Sequence, residues 1–92
     1  MTAVLLVRQR ISYGAGFIEM VIWRLQRPVP ASLHPFKYRL AYIVHGKRVV
    51  GYDNERGKGD HKHLGSCELS YLFKDPDQLV TDFMADVEKG VS

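Results

Sequence analysis

A chain of 92 residues has room for a single domain over residues 1–92 with one modest core, and a composition of 46% hydrophobic and 25% charged residues excludes a disordered chain. The lone Cys67 excludes an internal disulfide and a zinc module built on paired CxxC motifs. The net charge of +3 divides unevenly: residues 1–51 hold eight Lys/Arg against one acid, Glu19, and residues 52–92 hold five against nine, so the first half suits a phosphate backbone or an acidic partner.

Ala3–Ile11 is rich in Val and Leu and reads as a strand. Its AVLLV run is too short to cross a bilayer, with no basic cluster before it and no small-residue cleavage site after it. A cytoplasmic protein without membrane association is expected. Ser12-Tyr13-Gly14-Ala15-Gly16 is a turn signal, and Phe17–Leu25, β-branched and aromatic, should pair back on the first strand. Three prolines make residues 27–35 a loop. Tyr38–Val44 and Lys47–Tyr52 flank His45-Gly46, a tight hairpin turn in which Gly46 supplies a positive φ. Residues 53–66, polar and interrupted by glycines, are expected to form a long loop. Cys67–Phe73 fits a short fifth strand. Asp75 is a natural helix N-cap, with Pro76 at N1 and Gln78 at N3. Leu79, Phe83 and Val87 then recur at helical spacing, a stripe that serves the core, and Gly90 ends the helix. The expected fold is α+β: an antiparallel β-meander of four to five strands with one C-terminal α-helix packed on one face.

Strand parity sorts the charges. Arg8 and Arg10 share a face of the first strand. Phe17, Val21, Trp23 and Leu25 oppose Arg24 in the second, and Tyr38, Leu40, Tyr42 and Val44 oppose Lys37 and Arg39 in the third. With the helix on the apolar face and Trp23 in the core, Arg8, Arg10, Arg24, Lys37 and Arg39 would gather on the other face as a surface for nucleic acid, joined by Lys58 from the loop.

The segment Tyr52–His63, YDNERGKGDHKH, concentrates chemistry: Asp53, Glu55 and Asp60 balance Arg56, Lys58 and Lys62, and two of the chain's four histidines, His61 and His63, stand two residues apart. RNA cleavage by transesterification needs a base for the 2′-hydroxyl, an acid for the leaving 5′-oxygen and cations for the phosphate. His61 and His63 titrate near neutrality and suit the first two roles. Arg56, Lys58 and Lys62 can hold phosphate, and Asp53 or Asp60 can orient an imidazole. This route needs no metal or cofactor. A competing reading makes the HxH pair a metal site completed by Asp53, Glu55 or Asp60, against which Lys58 and Lys62 would repel a cation. A third reading is purely structural, with turn-forming residues and capping histidines. His34, before Pro35, has no assigned role, and Cys67 reads as a small side chain rather than a nucleophile.

The runs Lys37-Tyr38-Arg39-Leu40, Val49-Val50-Gly51-Tyr52-Asp53-Asn54, Gly59-Asp60-His61-Lys62-His63 and Tyr71-Leu72-Phe73, followed by Asp82-Phe83 on an acidic helix, resemble the TumE family of small toxins over residues 37–88. The resemblance implies a type II toxin, neutralised by direct contact with an antitoxin that carries a helix-turn-helix domain. Small toxins of this kind commonly cleave RNA, and by that analogy Tyr52, Asp53, Asn54, Asp60, His61 and His63 carry the activity.

The expectation is therefore a metal-independent ribonuclease toxin. His61 and His63 form its acid–base pair, Lys62 and Arg56 its phosphate clamp, and Asp53 its orienting carboxylate. The alternative is a non-catalytic module that grips nucleic acid or an acidic partner with the basic sheet face. The acidic helix (Asp75, Asp77, Asp82, Asp86, Glu88) offers a docking face for a basic antitoxin. Homodimerisation is left open by the sequence.

Overall fold

The computed structural model describes residues 3–90. They form a six-stranded antiparallel sheet and one helix: β1 (Val4–Tyr13), β2 (Gly16–Arg24), β3 (Phe36–Val44), β4 (Lys47–Glu55), β5 (Gly59–Leu64), β6 (Cys67–Ser70) and α1 (Pro76–Gly90). Sheet order follows chain order from β1 to β6, so each strand folds back on the one before it. The class is the expected α+β, with six strands where four to five were expected.

The extra strand comes from residues 53–66, which are not a long loop. β4 runs on through Asp53 to Glu55, a short turn reverses the chain, and β5 pairs with β4 from Gly59↔Glu55 to Leu64↔Val50. Periodicity hid this strand because both of its faces are polar. One face carries His61 and His63 and the other Asp60 and Lys62, so no apolar–polar alternation marks it. The His45-Gly46 hairpin is as expected, and both residues take positive φ (51° and 74°), as a type I′ turn requires.

α1 packs on one face of the sheet, against β4 and β3. Leu79, Phe83 and Val87 are fully buried there on Ile18, Met20, Ile22, Tyr38, Leu40, Tyr42, Val50 and Tyr52. At about 1.5–3 kcal/mol for each large apolar side chain buried, this interface is the main attachment of the helix. Asp75 caps it, its Oδ1 accepting from the Gln78 N–H at 2.7 Å. The Gln78 side chain does not complete a capping box; it turns forward to Asp82 (2.8 Å).

The parity expected for β2 is corrected. Ile18, Met20 and Ile22 face the helix, whereas Phe17, Val21 and Trp23 lie on the opposite, helix-free face. Pairing with β3 decides this, since Ile22 lies opposite Tyr38 and Met20 opposite Leu40. Trp23 is half-buried beside Val21, Lys37 and Arg39 rather than part of the core. Among the described residues, no helix is long and apolar enough to cross a membrane.

Candidate functional site

Directly paired residues in an antiparallel ladder point to the same side of the sheet, so register alone lays out the helix-free face. One row reads Arg8, Val21, Arg39, Asp53, His61, Ser70 across all six strands. The next reads Arg10, Glu19, Ala41, Gly51, His63, Glu68. Asp53, His61, His63 and Glu68 are thus brought together from β4, β5 and β6 with no loop among them.

Their contacts are close. His61 Nε2 lies 2.6 Å from Asp53 Oδ1 and 3.4 Å from Glu68 Oε2. His63 Nε2 lies 3.8 Å from the same Glu68 oxygen. The two imidazoles meet edge to face with centroids 5.0 Å apart. Donor atoms of Asp53, His61 and His63 all fall within 4.8 Å of one another. His61 Nδ1 stands 3.1 Å from the Gly59 carbonyl, which can only accept, so Nδ1 donates and Nε2 faces the two carboxylates. The Asp53–His61 approach is short but misaligned for a hydrogen bond, and buried Asp53 Oδ1 has no other donor among the described residues. His61 is buried, whereas the Glu68 side chain is half exposed (49%).

Arginines border this cluster. Arg39 is the ladder partner of Asp53. Arg48 extends over Gly51, where a Cβ would stand 2.7 Å from its Cδ and 3.4 Å from its Cζ. Gly51 pairs with His63, so the Arg48 side chain crosses the ladder position opposite that histidine. Only a glycine at position 51 leaves room for this path. Neither Arg48 nor Glu68 stands out in the sequence. The turn glycine Gly65 (φ 61°), with Leu64 paired to Cys67, was the available signal, since it sets Glu68 opposite His63.

Of the basic face expected from parity, Arg8, Arg10, Lys37 and Arg39 lie on the helix-free side, with Arg10 4.1 Å over the Phe17 ring. Arg24 falls on the parity of Ile22, paired with Phe36 and Val4, and leaves that group. Arg56 and Lys58 are exposed in the β4–β5 turn, Lys58 3.9 Å from Glu55. Lys62 points to the helix side, bound to Asp86 (3.2 Å) and the Tyr52 hydroxyl (3.4 Å), so it is not brought to the histidines.

The remaining polar positions form two networks on the helix side. Asp60 accepts from Ser32 (2.8 Å) and Tyr38 (2.7 Å) and contacts His34 at 2.6 Å, so it fixes the 25–35 loop rather than either site histidine. His34, without a role in sequence, stacks on Phe73 with centroids 3.7 Å apart. Asn54, buried, accepts from the Tyr38 N–H and donates to the Phe36 carbonyl. Tyr52 donates to Asp86, and Tyr71 donates to Asp82 at 2.6 Å. Burial, then these carboxylates, push the hydroxyls of Tyr38, Tyr52 and Tyr71 well above the usual tyrosine range. The Tyr71 and Gln78 donors hold Asp82 below the usual carboxylate range.

The chemistry thus divides by face, with scaffold networks under the helix and the His–carboxylate cluster among arginines on the open side. No curated protein and no solved structure matches the chain. A family model does: the one described as Toxin TumE covers residues 5–91, from β1 through α1, and the chain belongs to that family.

Proposed function

We propose that the protein is the toxin of a type II toxin–antitoxin pair and a metal-independent ribonuclease, neutralised by contact with an antitoxin carrying a helix-turn-helix domain. The toxin role rests on the family. The ribonuclease reading rests on one observation: a single Glu68 oxygen lies 3.4 Å from Nε2 of His61 and 3.8 Å from Nε2 of His63, so the two rings converge on one anion position.

In this reading the scissile phosphate displaces the half-exposed Glu68 carboxylate. His63 takes the proton from the 2′-hydroxyl, and the 2′-oxygen attacks phosphorus. The bond to the 5′-oxygen breaks, and His61 gives that oxygen a proton. The products are a 2′,3′-cyclic phosphate and a 5′-hydroxyl. Asp53 balances the positive charge on His61. Arg48 and Arg39 take the clamp role expected of Lys62, with Arg56 at the hairpin tip, and their donors meet the charge that builds on the phosphoryl oxygens. Arg8, Arg10 and Lys37 extend the path for the RNA backbone.

The test is purified protein with RNA in EDTA. Wild type should cleave and leave cyclic-phosphate ends, and His63→Ala and His61→Ala should lose on the order of 10²–10⁴ in rate. Full activity in both variants, or salt-sensitive RNA binding with no turnover, would sink the assignment.

A further inference from the structure

We infer that Asp53, His61 and His63, with Glu68 as a fourth ligand, bind one borderline transition-metal cation of the Zn²⁺ class, and that its binding switches off the acid–base pair. The binding stands on geometry alone; the inhibition rests on the ribonuclease reading above.

Three observations converge. First, two imidazoles and a carboxylate present donor atoms within 4.8 Å of one another, and Glu68 Oε2 lies within 3.8 Å of both rings. Zinc bonds of about 2.0–2.2 Å at tetrahedral angles place neighbouring donors roughly 3.3–3.6 Å apart, so small side-chain rotations suffice. Second, His61 is already held as metal-bound histidines are: its Nδ1–H donates to the Gly59 carbonyl, which turns Nε2, a ligand atom once it has given up its proton, inward. Third, buried Asp53 Oδ1 faces that nitrogen at 2.6 Å without hydrogen-bond alignment and has no other donor among the described residues. A cation between them would satisfy both atoms.

The charge argument against a metal weakens in the fold. Lys62 lies on the opposite face, tied to Asp86, and Lys58 is out in the turn. Arg39 and Arg48 remain nearby, which disfavours weakly held, oxygen-seeking ions and favours a cation with strong affinity for imidazole. A metal using both Nε2 lone pairs leaves neither histidine free to carry a proton, and Glu68 then closes the anion position as a ligand.

The decisive measurement is direct binding to EDTA-stripped, desalted protein. Co²⁺ should produce the visible d–d bands of a four-coordinate N/O site at one equivalent, and Zn²⁺ should bleach them while Mg²⁺ does not. His63→Ala and Asp53→Asn should each weaken binding at least about tenfold, with folding confirmed by circular dichroism. Absent bands, or bands unchanged in both folded variants, overturn the metal site whatever the activity shows. In RNA assays Zn²⁺ should inhibit and EDTA restore cleavage. Activity that instead requires the metal would overturn the inhibition and the metal-independent reading, and leave the site standing.

Discussion

Gly51 and Arg48 show how a single missing side chain shapes the site. A methyl at position 51 meets only the flexible part of Arg48, and the backbone there needs no positive φ. Gly51→Ala should therefore fold as well as wild type yet displace the Arg48 side chain from its path over position 51. On the ribonuclease reading, Arg48→Ala should lose on the order of 10²-fold in kcat/KM, and Gly51→Ala should share part of that loss. Adding Gly51→Ala to Arg48→Ala should cost nothing more, a double-mutant cycle that separates positioning from a general strand effect. Asn54 has the opposite character. Its amide continues the β3–β4 connection past the last ladder pair, Arg39↔Asp53, by bonding the backbone of Tyr38 and Phe36. Asn54→Ala strands those buried groups and should destabilise the fold by about 2–4 kcal/mol in urea titrations, with the histidine cluster's chemistry changed only through stability.

At the scale of elements, the sequence was most legible where apolar periodicity and turn chemistry agreed. The His45-Gly46 hairpin and the cap at Asp75 with its Leu79–Phe83–Val87 stripe fall where those signals place them. β5 was illegible because polar residues alternate on both faces of one strand: His61 and His63 lie on the helix-free side, and Asp60 and Lys62 bind the loop and the helix. Four members of the basic face were readable from parity, but Arg24 was not, because β2 presents apolar residues on both sides and only its pairing with β3 chooses between them. Glu68 and Arg48 were missed because their importance depends on cross-strand neighbours, Leu64↔Cys67 beyond one and Gly51 beneath the other.

For the whole molecule, the tyrosine–carboxylate networks set a pH dependence of stability. Tyr38, Tyr52 and Tyr71 have folded-state hydroxyls raised above the ordinary value of 10.0. A raised group contributes fully below its unfolded value and loses that contribution as pH climbs beyond it. Urea midpoints should thus hold level to about pH 9 and fall above about pH 10, and replacing Tyr52 and Tyr71 by Phe should flatten the fall. Asp82 acts in the other direction: its depressed folded value makes its contribution fade only on the acid side, below the ordinary 3.8.

The meander also orders events in time. Each strand pairs with its predecessor, so sheet assembly can follow synthesis from the N-terminus, local contact by local contact. Along the chain, Arg8, Arg10, Lys37 and Arg39 on β1–β3 precede Asp53, His61, His63 and Glu68, and α1, which covers the opposite face, comes last. The first three strands are thus basic and carry none of the four clustered side chains. On the ribonuclease reading, a partner that recognises those first strands binds a surface that is synthesised ahead of the acid–base pair.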